Sequence, residues 1–86
     1  MKTYCDRVWL NKDDSPSTGS VVAFDGIVKD KEGEYRSTFL QISDCFTKVK
    51  LHKESYSSVD DFIDKMKKLR TVIDSFINHM EMNKEK

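Results

Sequence analysis

One amphipathic repeat constrains this chain more than any other feature. Within residues 57–82, Phe62, Met66, Leu69, Ile73, Phe76 and Met80 recur at alternating steps of four and three. That spacing lines side chains along one face of an α-helix. Val59, Ile63, Val72 and Ile77 widen the stripe, and neither Gly nor Pro interrupts it. Ser57 or Ser58 supplies an N-cap, and Asp60 or Asp61 follows three residues on as an aspartate version of the capping box. The pattern predicts a helix over 58–82, apolar on one side and in need of a surface to cover it.

The residues before the helix read as strands. Residues 3–10 (TYCDRVWL) have β-branched and aromatic content, and 11–20 (NKDDSPSTGS) then break the pattern with clustered turn formers. That break is longer than a tight hairpin needs, which marks it as the best candidate for a functional loop. The next strand, 20–28, is apolar on both sides: Val22, Phe24 and Val28 point one way, while Val21, Ala23, Asp25 and Ile27 point the other. Residues 29–34 (KDKEGE) read as a turn. Strand 35–43 sets Leu40 and Ile42 against Tyr35 and Phe39, and strand 47–53 sets Val49 and Leu51 against Lys48, Lys50 and His52.

The order predicts an α+β domain spanning 1–86, a four-stranded antiparallel meander packed on one face by a single long C-terminal helix. The expected core is Val8, Leu10, Val22, Phe24, Leu40, Ile42, Val49 and Leu51 against Phe62, Met66, Leu69, Ile73 and Phe76. Two surplus surfaces follow. A helix over 59–82 runs about 36 Å, whereas strands of seven or eight residues reach about 25 Å. The final turns are thus expected to overhang and to form a homodimer interface through Ile73, Phe76, Ile77 and Met80. The second sheet face is expected to carry a patch of Trp9, Val21, Ala23, Ile27, Tyr35 and Phe39.

Composition narrows the function classes. The 86 residues hold 15 basic and 15 acidic side chains, which argues against a binder of long duplex nucleic acid, normally clearly basic. Cys5 and Cys45 are too few for a disulfide scaffold and read as reduced thiols. No run of about 18 apolar residues exists and the N-terminus has no apolar signal core, so a cytoplasmic protein is expected.

No constellation announces catalysis. His52 and His79 are the only histidines, and no C-x-x-C, H-x-x-x-H or H-E-x-x-H spacing accompanies them, so neither metal nor cofactor is expected. A Cys45 nucleophile requires a base, and His52 lies seven residues away across a strand. Asp25, set among apolar residues, should find a donor such as Arg36. The stretch 17–20 (STGS) precedes a strand and lacks the phosphate-loop grammar.

These features predict a small non-catalytic accessory, adaptor or inhibitor protein of regulatory type, not an enzyme. It would bind another protein through Trp9, Tyr35 and Phe39 as aromatic anchors, with Ser17 and Thr18 adding polar contacts. The alternative is a single-stranded nucleic-acid binder using Arg36, Lys48, Lys50 and His52, with Tyr35 and Phe39 on the same face if the strands pair in the right register. A small enzyme with a Cys45/His52 site is the second alternative.

Overall fold

A computed structural model describes residues 1–16 and 18–84. Four strands precede one helix: β1 (Tyr4–Trp9), β2 (Gly19–Asp30), β3 (Gly33–Asp44), β4 (Thr47–His52) and α1 (Val59–Asn83). The strands form one antiparallel sheet in the order β1-β2-β3-β4. This is the α+β, β-β-β-β-α succession that the periodicities imply. The chain divides into two compact units, Met1–Glu54 with the sheet and Ser55–Lys86 with the helix.

The central hairpin is longer than the sequence pattern suggests. β2 and β3 have 12 residues each, about 40 Å when extended, so the 25 Å assumed for the strands does not hold and the length argument for an overhanging helix falls. The turn shrinks from 29–34 to Lys31–Glu32, because Asp30 pairs with Gly33 and Lys29 with Glu34. Lys29 and Glu34 close an ion pair at 3.3 Å, and the Glu32 N–H donates to the Asp30 carboxylate at 2.8 Å. β1 pairs only as far as Asp25, and β4 only as far as Phe39. Beyond them the hairpin runs on as a two-stranded ribbon carrying Ile27, Val28, Tyr35 and Arg36.

The β3–β4 connection is also a two-residue turn, with Asp44 opposite Thr47 and Cys45–Phe46 between them. Cys45 takes φ of 50°, the left-handed region that such tight hairpins demand and that a side chain enters at a cost of about 1–2 kcal/mol. Its N–H donates to the Thr18 carbonyl at 2.8 Å, which ties the turn to the 11–18 loop. That loop is closed at its base by the Leu10 N–H, which donates to the Gly19 carbonyl at 2.8 Å.

Register assigns the faces, and it corrects the expected core. Val8 faces Val21, which faces Ile42, which faces Val49; Ala23, Leu40 and Leu51 form the adjoining row with Asp6. Val22 and Phe24 therefore lie on the opposite face, with Arg7, Trp9, Phe39 and Gln41. Val21, Ala23 and Ile27, expected in the second patch, belong to the aliphatic side. The reason is that β2 is apolar on both sides, so its own pattern cannot choose a face. Among the described residues Phe62 is the only buried hydrophobic side chain, at 7% exposure; Val8 (49%), Leu10, Val49 (51%), Ile73 and Phe76 (60%) are exposed.

The helix follows its local chemistry closely. Ser58 is the N-cap in extended geometry: the Asp61 N–H donates to Ser58 Oγ at 3.1 Å, and the Ser58 N–H donates to Asp61 Oδ2 at 3.3 Å. This reciprocal box satisfies two donors that the first turn leaves unpaired. Among the described residues, no helix is long and apolar enough to cross a membrane.

Candidate functional site

The face that collects the aromatic side chains also collects the cations. Phe24 and Phe39 sit directly opposite each other on the two central strands, and their rings stack at 5.4 Å between centroids with 18° between planes. The Lys50 ammonium, one diagonal away on β4, lies 4.2 Å from the centre of the Phe39 ring. On β1 the Arg7 guanidinium lies 5.6 Å from the Trp9 ring. Both contacts fall within the range in which a ring quadrupole attracts a cation. Lys48 shares a row with Trp9, and His52 shares one with Phe24 and Phe39. Tyr35 is on the same face but out on the ribbon, about 13 Å along β3 from Phe39.

Gly26 makes the central pair possible. The pairing of β2 is continuous through it, so it marks no bulge. It marks a close approach instead: a Cβ there would lie 2.9 Å from Thr3 Cγ2 and 3.2 Å from Phe24 Cζ. The missing side chain leaves room for the Phe24 ring to lie along the sheet.

The neutral total charge conceals a division between the faces. Arg7, Lys48 and Lys50 share the aromatic face with a single strand acid, Asp30, at the far end of the ribbon. Asp6, Asp25, Glu34 and Asp44 all project from the other face, with Lys29 and Arg36. Arg36, expected beside the basic stripe, is thus on the opposite side. There it holds Asp25 in a two-pronged pair, Nε to Oδ1 at 2.8 Å and Nη2 to Oδ2 at 2.7 Å, while the Thr38 hydroxyl donates to Oδ1 at 2.8 Å. The Arg36 hydrogen bonds, with help from Thr38, hold the Asp25 carboxyl below the ordinary carboxylate range against a smaller opposing effect of burial. In turn, Asp25 raises the Arg36 guanidinium.

At the end of the sheet where β1 stops, Trp9, Asn11, Lys12, Asp13, Ser15, Thr18 and Gly19 line a shallow recess of about 220 Å³. Trp9 is 64% exposed beside it. Trp9 and Thr18, expected on one protein-binding surface, line the same recess, whereas Tyr35 and Phe39 do not line it. Ser17 lies outside the described residues. Phe46, at the tip of the adjacent turn, is fully exposed and carried no signal in the periodicity.

Other candidate residues do not converge. Cys45 is in the turn before β4 and His52 ends that strand, so the strand's length of about 20 Å separates them. His52 Nδ1 lies 3.7 Å from Glu54 Oε1. Among the described residues, no group of three or more His, Cys, Asp or Glu is placed to hold a metal ion. Ile73, Phe76, Ile77 and Met80 are all exposed on the helix.

The fold and site together define a small four-stranded antiparallel sheet with a C-terminal helix and one sheet face that is aromatic and cationic. No family model, no curated protein and no solved structure matches the chain.

Proposed function

We propose that this protein binds single-stranded nucleic acid across the aromatic, cationic face of its sheet. The observation that carries the reading is the Phe24–Phe39 stack with Lys50 against it, on a face from which all strand acids but Asp30 are excluded. Unstacked bases can lie on aromatic rings, here the half-buried Phe24 and Phe39, and cations one side chain away can meet the phosphates; that combination holds single strands with little sequence preference. An open sheet also suits an extended strand better than a duplex, whose bases are already stacked. We assign the protein to the cytoplasm, where its two free, exposed cysteines would stay reduced.

The test is fluorescence anisotropy with a labelled single strand and the duplex of the same sequence. With Arg7, Lys48 and Lys50 on phosphates, log affinity should fall against log salt with a slope of about −2, some 15- to 20-fold between 50 and 200 mM. Preference for the duplex, or affinity indifferent to salt, overturns the reading.

A second reading draws on Trp9 beside its recess. A large exposed ring lining a shallow recess, with polar side chains around it, is the composition of a protein-binding hot spot. On that reading the chain is an accessory, adaptor or inhibitor anchored by Trp9, with Thr18 and the loop as the polar rim. A protein ligand held this way would show little of the salt dependence just described.

A further inference from the structure

Where β1 ends, the aromatic, cationic face runs into the recess lined by Trp9, Asn11, Lys12, Asp13, Thr18 and Gly19. All of its lining residues belong to the sheet unit, so the recess is complete without the helix. Register sets it in line with the Phe24–Phe39 stack. Phe24 and Phe39 form one row of that face, Arg7 and Lys50 the next, and Trp9 and Lys48 the third. Trp9 thus lies about 13 Å along the strands from the stack, with a row of cations between them. A single strand that stacks on Phe24 and Phe39 and follows those cations arrives at Trp9.

We propose that the recess takes one base of that strand, a guanine, stacked on Trp9 with its base-pairing edge on Asp13; the assignment rests on the single-strand reading above and adds a preference at one position. Size limits the occupant first. The recess of about 220 Å³ is smaller than the roughly 300 Å³ at which pockets for whole small ligands begin, and it suits one flat ring system. Trp9, 64% exposed, has ring surface free for a base to stack on.

The polar lining then selects the base. An ionised carboxylate only accepts hydrogen bonds, through two oxygens side by side. Among the common bases guanine alone sets two donors side by side on its base-pairing edge, N1–H and the 2-amino group. Adenine and cytosine offer one amino donor beside an acceptor, and uracil or thymine one N–H between two carbonyls. The Asp13 side chain forms no ion pair or hydrogen bond among the described residues, so both oxygens are available. Asn11 and Lys12 carry N–H donors suited to the guanine O6. Gly19 gives Asn11 its place, since a Cβ there would lie 2.7 Å from Asn11 Oδ1. Beside a phosphate-binding face a carboxylate repels every strand. A base with paired donors turns that repulsion into an attraction.

Three labelled single strands test the assignment: a short oligothymidine, the same strand with one central guanosine, and that strand with inosine, which lacks the 2-amino group, in its place. Fluorescence anisotropy reads affinity. Trp9 is the only tryptophan of the chain, so its emission reads whether a base reaches the recess. The guanosine strand should bind roughly 5- to 20-fold more tightly than the other two, toward the lower end of what a bidentate base contact supplies, and should quench Trp9 more strongly. Asp13→Asn should cancel that advantage, while affinity for oligothymidine holds or rises by up to about twofold as the repelling charge is lost. Guanosine and inosine strands that bind alike overturn the assignment, as does a guanosine preference that Asp13→Asn leaves intact; in either case the single-strand reading stands. Failure of all three strands to bind overturns both.

Discussion

On one side of this sheet Trp9, Phe24, Tyr35 and Phe39 stand among Arg7, Lys48, Lys50 and His52. On the other, Val8, Val21, Ala23, Leu40, Ile42, Val49 and Leu51 make an aliphatic block edged by Asp6 and Asp44. The two faces share one backbone and alternate residue by residue along it, so the difference lies wholly in side-chain choice. Aliphatic side chains offer area and nothing directional, and they are satisfied by any matching apolar surface. Rings beside cations offer planes to stack on and charges to meet phosphates. The two faces thus differ in chemistry: apolar area on one, ring planes and charges on the other.

The sharpest way to break this contrast is Phe39→Ala. Removing one stacking ring should weaken single-strand binding by roughly 5- to 150-fold, the equivalent of about 1–3 kcal/mol, with the far-ultraviolet circular dichroism unchanged. A loss below twofold in the anisotropy titration would show that the rings are not the platform. The matching change on the other face is Leu40→Ala. Leu40 is half-buried, so the expected destabilisation is about 1–2 kcal/mol in urea unfolding, below the 2–5 of a fully buried leucine. Nucleic-acid affinity of the folded variant should stay within twofold. An equal loss of affinity would mean that the faces are not separate.

The smallest effect belongs to the pair that separates Arg36 from the basic stripe. Asp25 has its folded pKa depressed by Arg36 and Thr38. Its contribution is therefore fully present above the unfolded value of about 3.9 and is lost as pH falls through the folded value below it. Asp25→Asn should lower the urea midpoint at about pH 7, and the gap to the parent chain should close as the pH is taken well below about 4. A gap that persists in acid would assign the Asp25 contribution to packing and not to charge.

Much of this was legible in the residues. The helix pattern and the Ser58–Asp61 box are local, since every partner lies within four positions and needs no other element. The alternation of Val49 and Leu51 with Lys48, Lys50 and His52 is equally local, and it gave the basic stripe its correct face. The break at 44–46 reads as a short corner, but the left-handed backbone of Cys45 was not legible, because that geometry normally advertises itself with Gly or Asn. The ribbon escaped notice for a similar reason: Lys29 and Glu34 read as turn residues until each has the other to pair with.

The amino-acid sequence by itself determined the kinds of element, their order and the cap that starts the helix, because these depend on neighbours along the chain. Only the tertiary structure decided which side of β2 joins which patch. A strand apolar on both sides carries no preference, and a slip of one residue would exchange its faces. Pairing between strands resolved that choice: it set Phe24 against Phe39, drew Arg36 to Asp25 and moved Val21 and Ala23 to the aliphatic side.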